Sequence, residues 1–164
     1  MPRLDASAPR LQILLIDDNP ADLELTRQCL CESRTPNEVH CVMDAETALA
    51  FLRRKGAYSH SPRPDLVLLD LNMPGTDGWE ILATIKSDPI LLTIPVVILT
   101  TSDADDDIYE AYWLHANSFL RKPANLNEFF ELADAVCAYW GRYVKQSPAG
   151  RSSSSVHYTS RGHE

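Results

Sequence analysis

The chain has 164 residues, 45% of them apolar, with 15 Lys and Arg against 23 Asp and Glu for a net charge of −8. That length suits one domain with room for a core, and the apolar share argues against disorder. The acidic balance speaks against a nucleic-acid-binding surface, which needs clustered Lys and Arg, and no apolar run is long enough to cross a bilayer.

Met1 to Arg10 carries charges but no apolar core of signal-peptide type. It reads as a flexible N-terminus, and a cytoplasmic protein is expected. Leu11 to Ile16 is a short apolar run ending in Asp17-Asp18, and Asn19-Pro20 supplies a helix cap and a proline for the first helical position. Leu23, Thr26, Arg27 and Leu30 share one helical face, which predicts a helix to near Ser33. Glu38 to Met43 reads as a second strand. Asp44 then caps a helix whose apolar face is Ala48, Leu49, Phe51 and Leu52.

Gly56, Pro62 and Pro64 mark a loop before strand three, Leu66 to Asp70. A third helix is expected from about Gly78 to Lys86, and strand four from Val96 to Thr100. Ser102 or Asp103 is the expected cap of helix four, whose first turn holds Asp105, Asp106 and Asp107. Strand five is Ser118 to Arg121. Asn125 and Glu128 resemble a capping box for a last helix running from Leu126 to about Lys145. Its apolar residues are Phe129, Leu132, Ala133, Val136, Cys137 and Trp140. Residues 146–164 are Ser-rich and read as a flexible tail, leaving 11–145 as the folded unit. The spacing of Cys29, Cys31, Cys41 and Cys137 matches no standard zinc pattern, so buried reduced thiols are expected.

Strands alternate with helices five times, and strands one, three and four are near-continuous apolar runs. That pattern predicts an α/β fold with a doubly wound parallel sheet covered on both faces. The flavodoxin-like strand order 2-1-3-4-5 is among the few topologies that right-handed crossovers allow. Parallel strands place their carboxyl ends on one edge, where such sheets bind ligands. Asp17 and Asp18, Asp70, Thr100 and Lys122 all fall at those ends.

Taken singly, each has a bland role: a helix cap for Asp17 or Asp18, a turn residue for Asp70, a strand-end hydroxyl for Thr100, a solvated charge for Lys122. Those roles do not explain their convergence. Close carboxylate pairs cost on the order of 4 kcal/mol each at an effective dielectric of about 20, so the cluster must bind protons, face Lys122 or hold a cation. Oxygen ligands without histidine favour Mg²⁺, which keeps waters and accepts a phosphate oxygen. An Asp carboxylate is a sound nucleophile for phosphoryl transfer.

The stretches LLIDDNP, DLVLLDLNMPGTDGWE, VVILTTS and FLRKP resemble the receiver domain of bacterial two-component response regulators, over about residues 11–145. The resemblance implies that Asp70 is the phosphoacceptor. It implies a Mg²⁺ site built from Asp18 directly, Asp17 through water, Asp70 and the backbone carbonyl of Asn72. Thr100 matches the hydroxyl that moves to the phosphoryl group, Phe119 the aromatic that follows it inward, and Lys122 the phosphate-binding lysine. Pro123 makes a cis peptide after Lys122 plausible. Thr101 stands where many receivers have Ala or Gly, and Phe119 lacks the hydroxyl of the more usual Tyr.

The stretch from Asp88 to Val136 is similar to the single-domain regulators that partner phytochrome histidine kinases. That implies a kinase partner, an output through a protein contact or phosphorelay, and a homodimer through helix 4, strand 5 and helix 5. Tyr109, Tyr112, Trp113, Trp140 and Tyr143 supply aromatic surface there, or belong to the core. A haloacid-dehalogenase-type phosphatase also uses a strand-end Asp, but needs an acid two residues on, where this chain has Asn72. A scaffold built on a degenerate receiver is a further alternative, and the presence of all five site residues argues against it.

Overall fold

The computed structural model describes residues 9–73 and 77–148. Five strands, β1 (Leu11–Ile16), β2 (Asn37–Val42), β3 (Leu66–Leu69), β4 (Val96–Thr100) and β5 (Ser118–Arg121), alternate with five helices. The helices are α1 (Pro20–Cys31), α2 (Ala45–Leu52), α3 (Gly78–Ser87), α4 (Asp105–Trp113) and α5 (Leu126–Ala138). The strands pair in parallel in the order β2-β1-β3-β4-β5, the order expected from the sequence. In register, Ile16 lies between Val42 and Leu69, and Leu69 pairs with Ile98, which pairs with Phe119.

The continuous apolar runs follow from burial on both faces. Leu11, Ile13 and Leu15 of β1 point into one core with Leu66, Leu68, Val97 and Leu99, covered by α1 and α5. Leu14 and Ile16 point into the other with Val67, Leu69, Val96 and Ile98, covered by α2, α3 and Ala111 of α4. Each fully buried Leu or Ile contributes about 1.5–3 kcal/mol, so these two layers supply most of the favourable term. On α1 the buried face is Leu23, Thr26, Cys29 and Leu30. Cys29 takes the place expected for Arg27, whose guanidinium turns outward to Glu24 at 2.6 Å.

Three helix starts follow the sequence. Asn19 accepts from the amides of Ala21 and Asp22, Asp44 from Thr47, and Asn125 from Asn127 and Glu128. Helix α4 departs from expectation, because Ala104 stands at its cap position with no side-chain bond. The two expected caps have other partners: the Ser102 hydroxyl donates to Asp107, and Asp103 pairs with Arg121 at 2.9 Å. Helix α5 is also shorter than expected. After Ala138 it widens into a π-helical turn, Tyr139–Tyr143, in which the Val144 amide reaches the Tyr139 carbonyl at 2.9 Å. Gly141 lets this turn pack closely on Thr35, since a Cβ there would stand 2.7 Å from Thr35 Cγ2.

Strand β2 begins one residue early, at Asn37, and β3 stops at Leu69. Every peptide bond in the described residues is trans, including Lys122–Pro123, the form favoured by about 0.5–1 kcal/mol before proline. Cys29 and Cys137 are buried thiols as expected, whereas Cys31 is exposed and Cys41 half-buried, both near Arg27 at the α1–β2 edge. Gln146, expected in the tail, donates to the Trp140 carbonyl at 2.8 Å, while 149–164 lie outside the described residues, as do 1–8 of the expected N-terminus. No helix among the described residues is long and apolar enough to cross a membrane.

Candidate functional site

Backbone bonds carry the sheet one residue past its formal strands and set the site in place. The Asp17 amide donates to Val42 O at 3.2 Å, the Asp70 amide to Ile16 O at 3.0 Å, and the Lys122 amide to Thr100 O at 2.7 Å. Asp17, Asp70 and Thr100 are buried, an unusual setting for two carboxylates unless each is partnered. Both partners are the same group. Lys122 Nζ donates to Asp17 Oδ2 at 2.7 Å and to Asp70 Oδ2 at 3.1 Å, with its side chain only 7% exposed.

The other carboxylate oxygens are held by backbone. Asp17 Oδ1 accepts from the Asn19 amide at 3.0 Å, and Asp70 Oδ1 from the Asn72 amide at 2.9 Å. The Asn72 side chain donates to Thr100 Oγ1 at 3.0 Å, which ties the loop after β3 to the end of β4. Phe119 is half-buried against the core on the α2–α4 face, and its amide donates to the Tyr112 hydroxyl at 3.3 Å. Thr101 is exposed beside the site.

One ammonium serves more than one acid, and the charges do not balance. Burial pushes the Asp17 carboxyl above its ordinary value, and the Lys122 bond and the Asn19 amide only partly offset this. Burial also pushes Lys122 down, but its bond to Asp17 and the charges of Asp70 and Asp17 outweigh that and raise it. The two directions agree once Asp70 is counted: it stabilises the ammonium and repels the Asp17 charge. A third acid, Asp22 in the first turn of α1, stands 3.8 Å from Lys122 Nζ and is half-exposed.

The donor set is all oxygen with surplus negative charge, which suits a small hard cation. No three Asp, Glu, His or Cys side chains among the described residues form a ready metal cluster. Mg²⁺ ordinarily uses only one or two carboxylates and keeps several waters, so the fit of this edge to such a cation does not depend on a three-residue cluster. Asp18 is half-buried next to Asp17 and enters none of these bonds among the described residues.

All the residues expected at this edge are therefore found on it, with Asp17, Asp70 and Lys122 in direct contact and Thr100 joined to them through Asn72. Sequence reasoning missed Asp22 and the side-chain role of Asn72. An acid in the first turn after a strand-end acidic pair could have flagged Asp22. Nothing in the sequence signals the Asn72 bond to Thr100.

Gly78, at the start of α3, packs directly under this site. A Cβ there would stand 2.7 Å from Asp70 O and 2.9 Å from Leu71 Cα, both backbone atoms that cannot swing aside. Gly78→Ala is expected to lower stability by about 1.5 kcal/mol, read as a lower urea midpoint. An unchanged midpoint would show that the β3–α3 loop yields freely.

A buried strand-end Asp, a second strand-end acid, a hydroxyl and a lysine on one edge of a 2-1-3-4-5 sheet make the site of a receiver. The chain belongs to the response regulator receiver domain family, whose model it matches over residues 13–134. It is 44% identical over 136 residues to the response regulator Rcp1 of Synechocystis sp., covering 83% of this chain and 92% of that protein. Among solved structures it resembles the phosphorylated cyanobacterial phytochrome response regulator RcpA, with a TM-score of 0.78 and 44% identity over 84% of this chain and 99% of that one. It also resembles the Mn²⁺-bound form of Rcp1, with a TM-score of 0.76 and 42% identity over 85% of this chain and 99% of that one.

Proposed function

We propose that this chain is a single-domain response regulator, with a receiver over residues 11–145, that accepts a phosphoryl group on Asp70 from a histidine kinase. The observation that carries the reading is the buried Lys122 ammonium bridging Asp17 and Asp70, with both Asp70 oxygens already oriented. The likeness to Rcp1 and RcpA supports a phytochrome as the kinase.

In the transfer step an Asp70 carboxylate oxygen forms the O–P bond as the N–P bond of phosphohistidine breaks. The imidazole leaves with the electron pair and takes up a proton. Lys122, already at Asp70, holds one equatorial oxygen as charge develops there. Asp17, Asp18, Asp70 and the Asn72 carbonyl would hold Mg²⁺, which when bound would neutralise phosphoryl charge. The Mn²⁺-bound form of Rcp1 supports a divalent cation at this edge.

The new dianion draws the Thr100 hydroxyl off Asn72 and Phe119 follows inward. A shift of a few kcal/mol is enough to change partner affinity. The output is a protein contact or a phosphorelay step, and the molecule is a switch that is reset by hydrolysis of the acyl phosphate rather than a turnover enzyme. A homodimer through α4, β5 and α5 is the contact we favour. Tyr109, Tyr112, Trp113 and Tyr143 are exposed and supply aromatic surface, whereas Trp140 is half-buried and packs against the core.

The test is intact-protein mass after incubation with acetyl phosphate, with Mg²⁺ and with chelator, alongside light scattering. One added phosphoryl group that requires Mg²⁺ is expected, with a larger dimer fraction. No phosphorylation from either the small donor or a cognate kinase would leave the scaffold reading in its place.

A further inference from the structure

We infer that Asp22 is a positioning residue for Lys122, the counter-charge that holds the ammonium over Asp70 while phosphorylation proceeds. The inference rests on the phosphoacceptor reading above. An ammonium has three donors. Two of those on Lys122 go to Asp17 and Asp70, at 2.7 and 3.1 Å, and both partners are committed to other roles during the reaction. Asp17 belongs to the cation, and Asp70 becomes the acyl phosphate. A lysine held only by those two would lose its anchors at the moment it is needed.

Among the described residues, Asp22 is the acid paired with Lys122 that has neither role. Its Oδ2 stands 3.8 Å from Nζ, within ion-pair range but beyond a direct hydrogen bond, and its side chain is 48% exposed at the rim of the site. Its backbone is also fixed in place. The Asp22 amide donates to Asn19 Oδ1 at 3.1 Å, and the Asn19 amide donates to Asp17 Oδ1 at 3.0 Å. One capping residue thus sets the spacing between Asp17 and Asp22, and Asp22 shares the favourable first turn of α1. Without the Asp22 charge, the acids paired with Lys122 among the described residues are Asp17 and Asp70 alone, the carboxylates that a cation and the phosphoryl group would also need.

Asp22→Asn keeps the cap and the shape and removes the charge. It is expected to weaken Mn²⁺ binding, measured on the full chain by electron paramagnetic resonance, by roughly fivefold, and to slow acetyl phosphate labelling by a similar factor. Asp22→Glu should restore most of both, and the urea midpoint of either variant should stay near wild type. Asp106→Asn, which removes an exposed charge on α4, controls for net charge and should change neither readout. Wild-type affinity and rate in Asp22→Asn, or equal losses in Asp106→Asn, would overturn the inference while leaving the phosphoacceptor reading intact. A wild-type chain that neither binds Mn²⁺ nor takes a phosphoryl group would overturn both.

Discussion

Asp70→Asn is expected to gain no phosphoryl group from acetyl phosphate and Mg²⁺, under conditions where the wild-type chain gains one. The substitution is nearly isosteric, and the amide oxygen it leaves is too poor a nucleophile to take the phosphoryl group. The fold should tolerate it, since the oxygen that accepts from the Asn72 amide at 2.9 Å survives as an amide carbonyl. Labelling of the variant at the normal rate would place the acceptor on another residue. If neither protein is labelled by the small donor, the same pair with a cognate kinase separates a scaffold from a site that reads only its kinase.

Lys122→Met is expected to lower stability by about 3 kcal/mol at pH 7 without divalent cation, because it leaves Asp17 and Asp70 buried with no shared partner. Asp17→Asn should move the other way, since burial already raises the Asp17 carboxyl and its charge opposes folding at neutral pH. The pH signs follow from the same groups. Lys122 is raised in the fold, so its contribution is complete below 10.5 and is lost as pH rises through the folded value. Asp17 is raised as well, so its penalty fades as pH falls through its folded value toward 3.8. Urea midpoints across pH check both. The wild type should lose stability above pH 10.5 by a Lys122-dependent step that the Lys122→Met variant lacks. A Lys122→Met variant as stable as wild type at pH 7 would refute the buried-pair account.

Local chemistry explains which expectations held. Caps at Asn19, Asp44 and Asn125 are decided within three residues, because a short side chain meets amides that every helix start leaves free. The expected cap of α4 failed because Ser102 and Asp103 had rivals at similar cost: Asp107 for one, and Arg121 at the end of β5 for the other. The end of α5 failed for a related reason. Its apolar period runs on through Trp140, but the close approach of Gly141 to Thr35 and Leu11 sets the backbone there.

By itself the sequence determined the parallel sheet, its two buried faces and the edge on which Asp17, Asp18, Asp70, Thr100 and Lys122 would meet. Apolar runs can only be buried on both sides, and a parallel sheet turns "the end of a strand" into a place in space. Only the tertiary structure decided which of those groups touch. That Lys122 bridges Asp17 and Asp70, that Asp22 stands at 3.8 Å from it and that Asn72 holds Thr100 depend on rotamers chosen among residues far apart in the chain. Such choices are worth about 1 kcal/mol each, and they are settled only once the sheet has brought every competing partner together.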